Sequence, residues 1–152
     1  MSSYLTFYLV PKKTKTIYDK EGVSSEIKIS EGTPLALFSF TRSSEVYQAF
    51  TTSLNVAYCG EDSDNYTEIG KEDVAIVIQD YKREIQSIED RLKIDYKIIK
   101  ESGCINEMWE EIHSFEELLQ EKKDSLETLL NISYILSDIP YSDFDKVLIN
   151  ID

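Results

Sequence analysis

The stretch Arg42-Ser43-Ser44 combines residue types that bind anions. A strand pattern ends at Arg42 in the segment FSFTRSSEVYQAF, and a helical pattern begins at Ser43 or Ser44. The free N–H groups and the dipole of a helix N-terminus favour negative charge, and arginine adds a planar, permanently charged donor group. Tyr47 follows one turn later, where its ring is placed to stack on a base or a ribose. Arg42, Ser43, Ser44 and Tyr47 therefore form the candidate site for an anionic, nucleotide-type ligand.

The same residues also fit a purely structural role. Serine is a common N-cap and needs no ligand to explain it. An arginine at this position can pair with a carboxylate, and Glu45 or the acidic loop 61–64 would supply one. The stretch contains no glycine that would let a ligand approach the backbone closely, so the structural interpretation is favoured. Both interpretations place Arg42 near the first turn of a helix over residues 43–54.

The sequence offers little for catalysis. His113 is the only histidine, and helical spacing places Glu110, Glu116 and Glu117 one turn away on a solvated face. An acid–base pair or a zinc site would need these groups in a cleft. No P-loop, GxGxxG, HExxH, GxSxG or CxxC motif occurs. We therefore predict a protein that is not an enzyme and that has no cofactor.

Metal-binding patterns are equally weak. The acidic stretch GEDSDNYTE, residues 60–68, has the oxygen ligands that calcium prefers but not the register of an EF-hand loop. Cys59 and Cys104 have no second Cys or His at metal-ligand spacing. We predict two reduced thiols, a solvated loop and no metal site.

The net charge of −13 is concentrated towards the C-terminus. Residues 1–60 carry a net +1 and residues 61–152 a net −14, and the segment 101–127 holds nine acidic and two basic residues. Such acidity repels nucleic-acid phosphates and anionic membranes, so neither is predicted as a direct partner. It suits solubility, a basic protein partner or imitation of a nucleic acid.

The N-terminal stretch MSSYLTFYLVPKK has no basic region before its apolar residues and no small-residue cleavage site, and it is typical of a first β-strand. No apolar run approaches the length of a membrane-spanning helix. Both features predict a cytoplasmic protein.

Residues 1–69 together with 141–152 have the patterns of a small, mostly antiparallel sheet with one short helix. Leu5, Phe7 and Leu9 alternate on one face of a first strand, and two short strands flank a turn at Asp19–Gly22. The apolar run PLALFSFTR predicts a central strand that is covered on both faces. The tail FDKVLINID predicts a last strand that returns to the sheet.

Residues 70–139 have the pattern of a long antiparallel helical hairpin with a heptad-like seam. Gly70 is predicted to cap the first helix, Gly103 to adopt a left-handed conformation between the helices, and Pro140 to end the second. Lys122 interrupts the seam. The predicted seam of the first helix is Val74, Ile78, Tyr81, Ile85, Ile88, Leu92, Tyr96 and Ile99. The predicted seam of the second helix is Ile105, Trp109, Ile112, Phe115, Leu119, Leu126, Leu129, Leu130, Ile132 and Leu136.

Further apolar residues lie outside these seams and need another surface to pack on. The sheet near the base of the hairpin or a second copy of the chain would provide one, so the sequence predicts self-association as a homodimer. These residues are Ile76, Val77, Ile94, Ile98, Leu118 and Tyr134.

The predicted fold class is therefore α+β, within a single domain of 152 residues. The segments YLTFYLVPKK, SFTRSSEVYQAF and YTEIGKEDV, followed by a helical hairpin, resemble uncharacterised small proteins encoded by phages and mobile elements of gut bacteria. The resemblance spans about the first two-thirds of the chain and carries no catalytic motif. It implies a small accessory protein in a bacterial cytoplasm.

Three functions are compatible with these features. The leading hypothesis is a non-enzymatic, phage-type binding or assembly protein that acts through the acidic hairpin. The first alternative is an inhibitor of a host defence that sequesters a nucleotide-type ligand near Arg42. The second alternative is an acidic mimic of nucleic acid.

Overall fold

The computed structural model describes residues 4–18, 20–22, 24–29, 34–54, 66–103, 105–139 and 144–151. It confirms the α+β fold class, with a four-stranded antiparallel sheet, a two-stranded sheet and three helices. The strands are β1 (Tyr4–Pro11), β2 (Lys13–Tyr18), β3 (Ser24–Ile29), β4 (Leu35–Thr41), β5 (Thr67–Ile69) and β6 (Phe144–Ile151). The helices are α1 (Glu45–Leu54), α2 (Lys71–Ser102) and α3 (Ile105–Ser137).

The larger sheet has the order β4-β1-β6-β5, and every neighbouring pair is antiparallel. The alternation of Leu5, Phe7 and Leu9 gives β1 one buried face, as the sequence predicts. The C-terminal strand lies between β1 and β5, and both of its faces are buried from Val147 to Ile151. The last strand of the chain is therefore central to the sheet.

The position predicted for β4 is wrong. This strand lies at the edge of the sheet and is not covered on both faces, since Leu35 and Leu37 are exposed. Phe7 lies opposite Phe38 while Tyr8 lies opposite Ala36, so Leu37 is the extra residue of a β-bulge. The bulge interrupts the in–out alternation of side chains, so the apolar residues of this strand are consecutive in sequence, as they would be in a central strand.

The two strands predicted around Asp19–Gly22 are confirmed as β2 and β3, which pair from Lys13↔Ile29 to Tyr18↔Ser24. Gly22 has a φ of 79°, the left-handed conformation that glycine adopts readily in a turn. These two strands form a sheet of their own.

The hairpin of α2 and α3 is confirmed together with both of its glycines. Gly70 is the N-cap of α2, and its N–H donates to Asp73 Oδ2 at 2.8 Å. Gly103 ends α2 with a φ of 71°, and its N–H donates to the Ile99 carbonyl at 2.8 Å. The two-residue connection between Ser102 and Ile105 fixes the helices as antiparallel neighbours.

Replacing Gly103 by valine is expected to lower the free energy of unfolding by about 1 kcal/mol or more. The space around a Cβ at this position is open, so the cost arises from the left-handed backbone alone. Gly103→Asn is the matched control, because asparagine tolerates this conformation and should lose only part of that stability. Urea unfolding that is identical for the valine and asparagine variants would contradict the conformational explanation.

The apolar core has two parts. The larger cluster joins one face of the sheet to α1, to the first half of α2 and to the second half of α3; Phe7, Phe50 and Leu129 are among its fully buried residues. The smaller cluster is built around Ile88, Leu92 and Ile112. Because all its members come from α2 and α3, the distal half of the hairpin is held together by contacts between its own two helices.

Three positions of the predicted seams are wrong. Tyr96 is exposed and Asp95 is 1% exposed, so the buried position is occupied by the acid. Ile105 and Trp109, at the start of α3, are also exposed. Among the apolar residues predicted outside the seams, Val77 is fully buried against the sheet side of the core, whereas Ile76, Ile94, Ile98 and Tyr134 remain exposed.

Candidate functional site

The turn from β4 into α1 is a capped helix start. Ser44 Oγ accepts a hydrogen bond from the Val46 N–H at 3.2 Å, and the Ser44 carbonyl accepts one from the Gln48 N–H at 3.2 Å. The Ser44 N–H donates to the Thr41 carbonyl at 2.9 Å, and the Ser43 hydroxyl lies 3.0 Å from that of Thr41. Ser44 is therefore the N-cap, and both serines have partners within the chain.

Arg42 lies at this turn with an exposed side chain. Its carbonyl accepts a hydrogen bond from the side-chain amide of Gln48 at 2.8 Å. Within the described residues its guanidinium forms no ion pair, and Glu45, one of the two predicted partners, pairs elsewhere. The other predicted partner, the loop 61–64, lies outside the described residues, as does Asn65, which follows it in the predicted solvated loop.

Tyr47 points away from the candidate site. Its side chain is only 7% exposed and belongs to the larger core cluster beside Val46 and Phe50. The ring therefore has no free face on which a base could stack. The position follows from the helix itself, because Tyr47 and Phe50 are three residues apart and share one side.

The first turn of α1 already carries a negative charge. Glu45 is its first residue, and its carboxylate is held by Lys122 and by the Tyr81 hydroxyl. An anion bound at Arg42-Ser43-Ser44 would approach this carboxylate, which complements the same helix dipole. The structure thus brings Arg42, Ser43 and Ser44 together, but beside an acid and without the aromatic ring of Tyr47.

We expect calorimetric titration with cyclic nucleotides or ADP-ribose derivatives to give no saturable heat. The reason is the combination of the Glu45 carboxylate with the burial of Tyr47. Saturable binding that Arg42→Ala abolishes, and that Arg83→Ala leaves intact, would show that the turn is a ligand site after all. Arg83 is a suitable control because it is also exposed and its ion pair with Asp80 lies within α2.

Lys122 lies at the centre of an inward-facing cluster of charges. Its Nζ lies 2.9 Å from Glu45 Oε2, 3.0 Å from Glu84 Oε2 and 5.1 Å from the centre of the Tyr81 ring. Its side chain is 15% exposed. Burial lowers the pKa of Lys122, but the two carboxylates outweigh burial and raise it overall, so Lys122 is a cation at neutral pH. The cluster links α1, α2 and α3.

The same cluster predicts a loss of stability in alkali. Burial raises the pKa of Tyr81 to about 12 from 10.0, with Ser125 acting in the opposite direction. A raised folded pKa gives stability that is complete below pH 10 and is lost as the pH rises towards 12. We expect the free energy of unfolding to fall by up to about 2 kcal/mol more in the parent chain than in Tyr81→Phe over this window. Denaturant curves with parallel pH dependence for both proteins would contradict this assignment.

The distal half of the hairpin contains a buried acid. Asp95 Oδ1 lies 3.4 Å from Arg91 Nε, and Asp95 Oδ2 has no hydrogen-bond partner among the residues that the structure describes. Arg91 reaches across to Glu111 at 2.7 Å and lies 5.9 Å from the centre of the Phe115 ring. The signal for Asp95 was present in the sequence, because the alternating spacing of four and three residues along the α2 seam places residue 95, not residue 96, at the interface.

A cleft of about 300 Å³ lies between α2 and α3, on the side of the hairpin away from the Arg91–Glu111 pair. The Tyr96 hydroxyl donates to Glu116 across it, and Lys123 Nζ lies 3.6 Å from Glu89. The hydrogen bond to Glu116 raises the pKa of Tyr96. We call this side, with Glu89, Tyr96, Glu116 and Lys123, the cleft face.

The opposite side of the hairpin is the α1 face. It contains the contacts of Lys122 with Glu84 and of Arg91 with Glu111, and α1 packs there through Glu45. The two faces therefore differ, since the described residues leave the cleft face uncovered while α1 covers part of the other.

Trp109 and His113 form an exposed aromatic pair on α3. Their rings stack with centres 5.7 Å apart and planes 10° apart, and His113 Nε2 lies 3.0 Å from Glu117 Oε1. Trp109 is 57% exposed, and Ile105, one turn earlier, is exposed as well. Large exposed apolar side chains on a rigid helix are typical of a protein-binding surface.

Within the described ranges, no group of three or more His, Cys, Asp or Glu side chains is placed to hold a metal ion. No described helix is both long enough and apolar enough to cross a membrane. In comparisons with known proteins, no protein-family model, curated sequence or solved structure matches this chain.

Proposed function

We propose that this chain is a non-catalytic binding or assembly protein that acts through the distal half of its helical hairpin. The observation that supports this proposal is the group of exposed, large apolar side chains at the hairpin's end. Trp109 and Ile105 lie there, one turn apart on α3. Exposing them costs free energy in water, so a surface of this kind is typical of contact with another macromolecule.

The scaffold suits this role because it is rigid and self-supporting. The distal cluster around Ile88, Leu92 and Ile112 holds the two helices together independently of the sheet. Trp109 is fixed further by stacking on His113, which lowers the entropy that a partner must remove on binding. The proposed phage-type origin and bacterial cytoplasmic location rest on the sequence resemblance.

A photoreactive phenylalanine analogue at position 109 tests this proposal in cells that express the full chain. We expect a covalent adduct at position 109 and none from the same analogue at Tyr18, which is also exposed but lies in the separate two-stranded sheet. The mass of the adduct identifies the partner. Absence of any adduct at position 109, or equal labelling at both positions, would refute action through the hairpin.

A basic partner is a second candidate, supported by the charges of α3. All nine acidic residues of the segment 101–127 are exposed, whereas Lys122, one of its two bases, is turned inwards to Glu45 and Glu84. The outward surface of this segment is therefore more acidic than the sequence count suggests. This arrangement supports imitation of nucleic acid more than the Arg42 turn supports nucleotide sequestration.

Competition with DNA tests the mimic. The chain should displace DNA from a basic DNA-binding enzyme of the same cell, and the displacement should weaken steeply between about 50 and 200 mM salt. Replacing Glu110 and Glu117 by glutamine should reduce it. Displacement that is insensitive to salt, or to these changes, would exclude an electrostatic mimic.

A further inference from the structure

We propose that the partner on the cleft face is a second copy of this chain. In this dimer a two-fold axis runs parallel to the hairpin and places α2 of each protomer over α3 of the other. The proposal rests on the function proposed above and names the partner of the same surface. A closed two-fold contact uses the same patch on both copies, so the patch must be complementary to itself.

Helical spacing assigns the members of this patch. Lys93 lies four residues after Glu89 and three before Tyr96, so it shares the cleft face with them, and Lys100 follows one turn later. On α3, Trp109 lies seven residues before Glu116 and His113 lies three before it. The contacts of Tyr96 with Glu116 and of Glu89 with Lys123 bring these two rows together on one side of the hairpin.

The two rows differ in charge. Lys93, Lys97 and Lys100 are exposed on α2 and form no ion pair within the described part of the chain. On α3 the exposed acid that lines the cleft is Glu116, and Glu117 lies beside it at the edge of the face. Across the whole helices, α2 has eight acidic and seven basic residues, whereas α3 has eight acidic and two basic ones. A two-fold axis along the hairpin sets the lysines of one copy opposite the acids of the other.

The α3 row also supplies an apolar anchor for this contact. Trp109 on α3 lies at the same height along the hairpin as Lys97 on α2. In the dimer each Trp109 would therefore contact the aliphatic stem and the ammonium group of Lys97 in the other copy. Tyr134, eleven residues after Lys123 and hence three turns along the same face, extends the patch towards the base.

The size of the face matches that of a stable dimer. From Trp109 to Tyr134 the face is about 37 Å long, and two neighbouring helices are about 20 Å wide. The resulting area of about 750 Å² per copy is close to the ~800 Å² that a standard interface buries on each partner. The α1 face offers less room, since α1 occupies it beside Lys122 and Glu84.

Two equally exposed residues on opposite faces provide the test. Trp109 and Ile94 are each 57% exposed, the first on the cleft face and the second on the side that Arg91 and Glu111 share. Sedimentation equilibrium of the parent chain should show a dimer. Trp109→Glu should raise the dimer Kd by more than about tenfold, and Ile94→Glu should leave it unchanged, with both variants retaining the helical circular-dichroism signal.

Charge exchange tests the axis. One double variant carries Lys93→Glu and Lys97→Glu, and the other carries Glu116→Lys and Glu117→Lys. Each should be monomeric alone, because like charges then face each other across the axis. An equimolar mixture of the two should form a heterodimer. Failure of the mixture to associate would overturn the placement of α2 over α3.

The remaining outcomes separate this inference from the proposed function. A monomeric parent chain that cross-links through position 109 to a different protein overturns self-association and keeps the function. A monomeric chain without any adduct at position 109 overturns both. Dissociation by Ile94→Glu, with Trp109→Glu still dimeric, would place the interface on the α1 face and refute the cleft face.

Discussion

Replacing Asp95 by leucine is expected to stabilise the protein by about 3 kcal/mol. Asp95 is 1% exposed, and within the described part of the chain its Oδ2 has no hydrogen-bond partner. Its other oxygen lies 3.4 Å from an arginine that is half exposed and that also serves Glu111, so little attraction offsets the cost of burying the carboxylate. Leucine removes that cost and adds apolar contacts to Ile99 and Leu92 at a seam position.

The matched control is the same change at Asp90. Asp90 lies on the same helix, is exposed, and has Gln86 as a hydrogen-bond partner, so Asp90→Leu should alter the unfolding free energy by no more than about 0.5 kcal/mol. Urea denaturation of the three proteins measures both effects. A loss of stability in Asp95→Leu would mean that the buried carboxylate has interactions on which the fold depends.

A buried acid in a helical seam also has a specificity effect. Polar residues at such positions select one register at a cost in stability. In this hairpin a slip of one turn would keep the Arg91–Asp95 pair, which lies within α2, but it would separate Arg91 from Glu111 and set the Asp95 carboxylate against a different turn of α3. We therefore expect the more stable leucine variant to show a less uniform pattern of interhelical contacts, which cross-linking between engineered cysteines on the two helices would measure.

Most of the fold was predictable from the spacing of apolar residues alone. The 4, 3, 4 spacing of Val74, Ile78, Tyr81 and Ile85 identified α2, and Gly103 identified the end of the helix, because only a few residue types adopt its conformation cheaply. These signals are local, since each depends on the neighbouring turns of one helix.

The wrong predictions concern residues whose burial is determined by tertiary contacts. The bulge at Leu37 breaks the alternation of an edge strand, so its apolar residues are consecutive. The spacing of apolar residues alone cannot distinguish such a strand from a central one. Following apolar residue type led to Tyr96, although the heptad spacing pointed to Asp95. The burial of Tyr47 depends on the helices and strands that α1 meets, and those are far away in sequence.

Lys122 shows how a local anomaly becomes informative only in three dimensions. The sequence marks it as a polar interruption of the α3 seam, but it does not reveal the partners. Glu45 is 77 residues away and Glu84 is 38 residues away. No periodicity within α3 could have found them. The interruption is the position at which α1 is attached to the hairpin.

Replacing Lys122 by alanine is therefore expected to destabilise the protein by about 3 kcal/mol. The change removes the cation that lies 2.9 Å from Glu45 and 3.0 Å from Glu84, so the Glu45 carboxylate keeps its hydrogen bond from the Tyr81 hydroxyl but loses this counter-charge. Lys123→Ala is the matched control. Lys123 is the adjacent residue, its side chain is 49% exposed, and its 3.6 Å pair with Glu89 is worth less than about 1 kcal/mol.

The electrostatic part of this loss of stability can be separated from the part that comes from lost packing of the Lys122 side chain. If the unpaired acid causes it, Glu45→Gln should restore part of the stability in the Lys122→Ala background although it weakens the parent chain, and a double-mutant cycle measures that coupling. Because Glu45 begins α1, hydrogen exchange in the Lys122 variant should accelerate in α1 before it does in the distal hairpin around Ile88 and Ile112. Equal losses for Lys122→Ala and Lys123→Ala, or additive effects in the cycle, would show that the three charges act independently and that α1 is held by its apolar contacts alone.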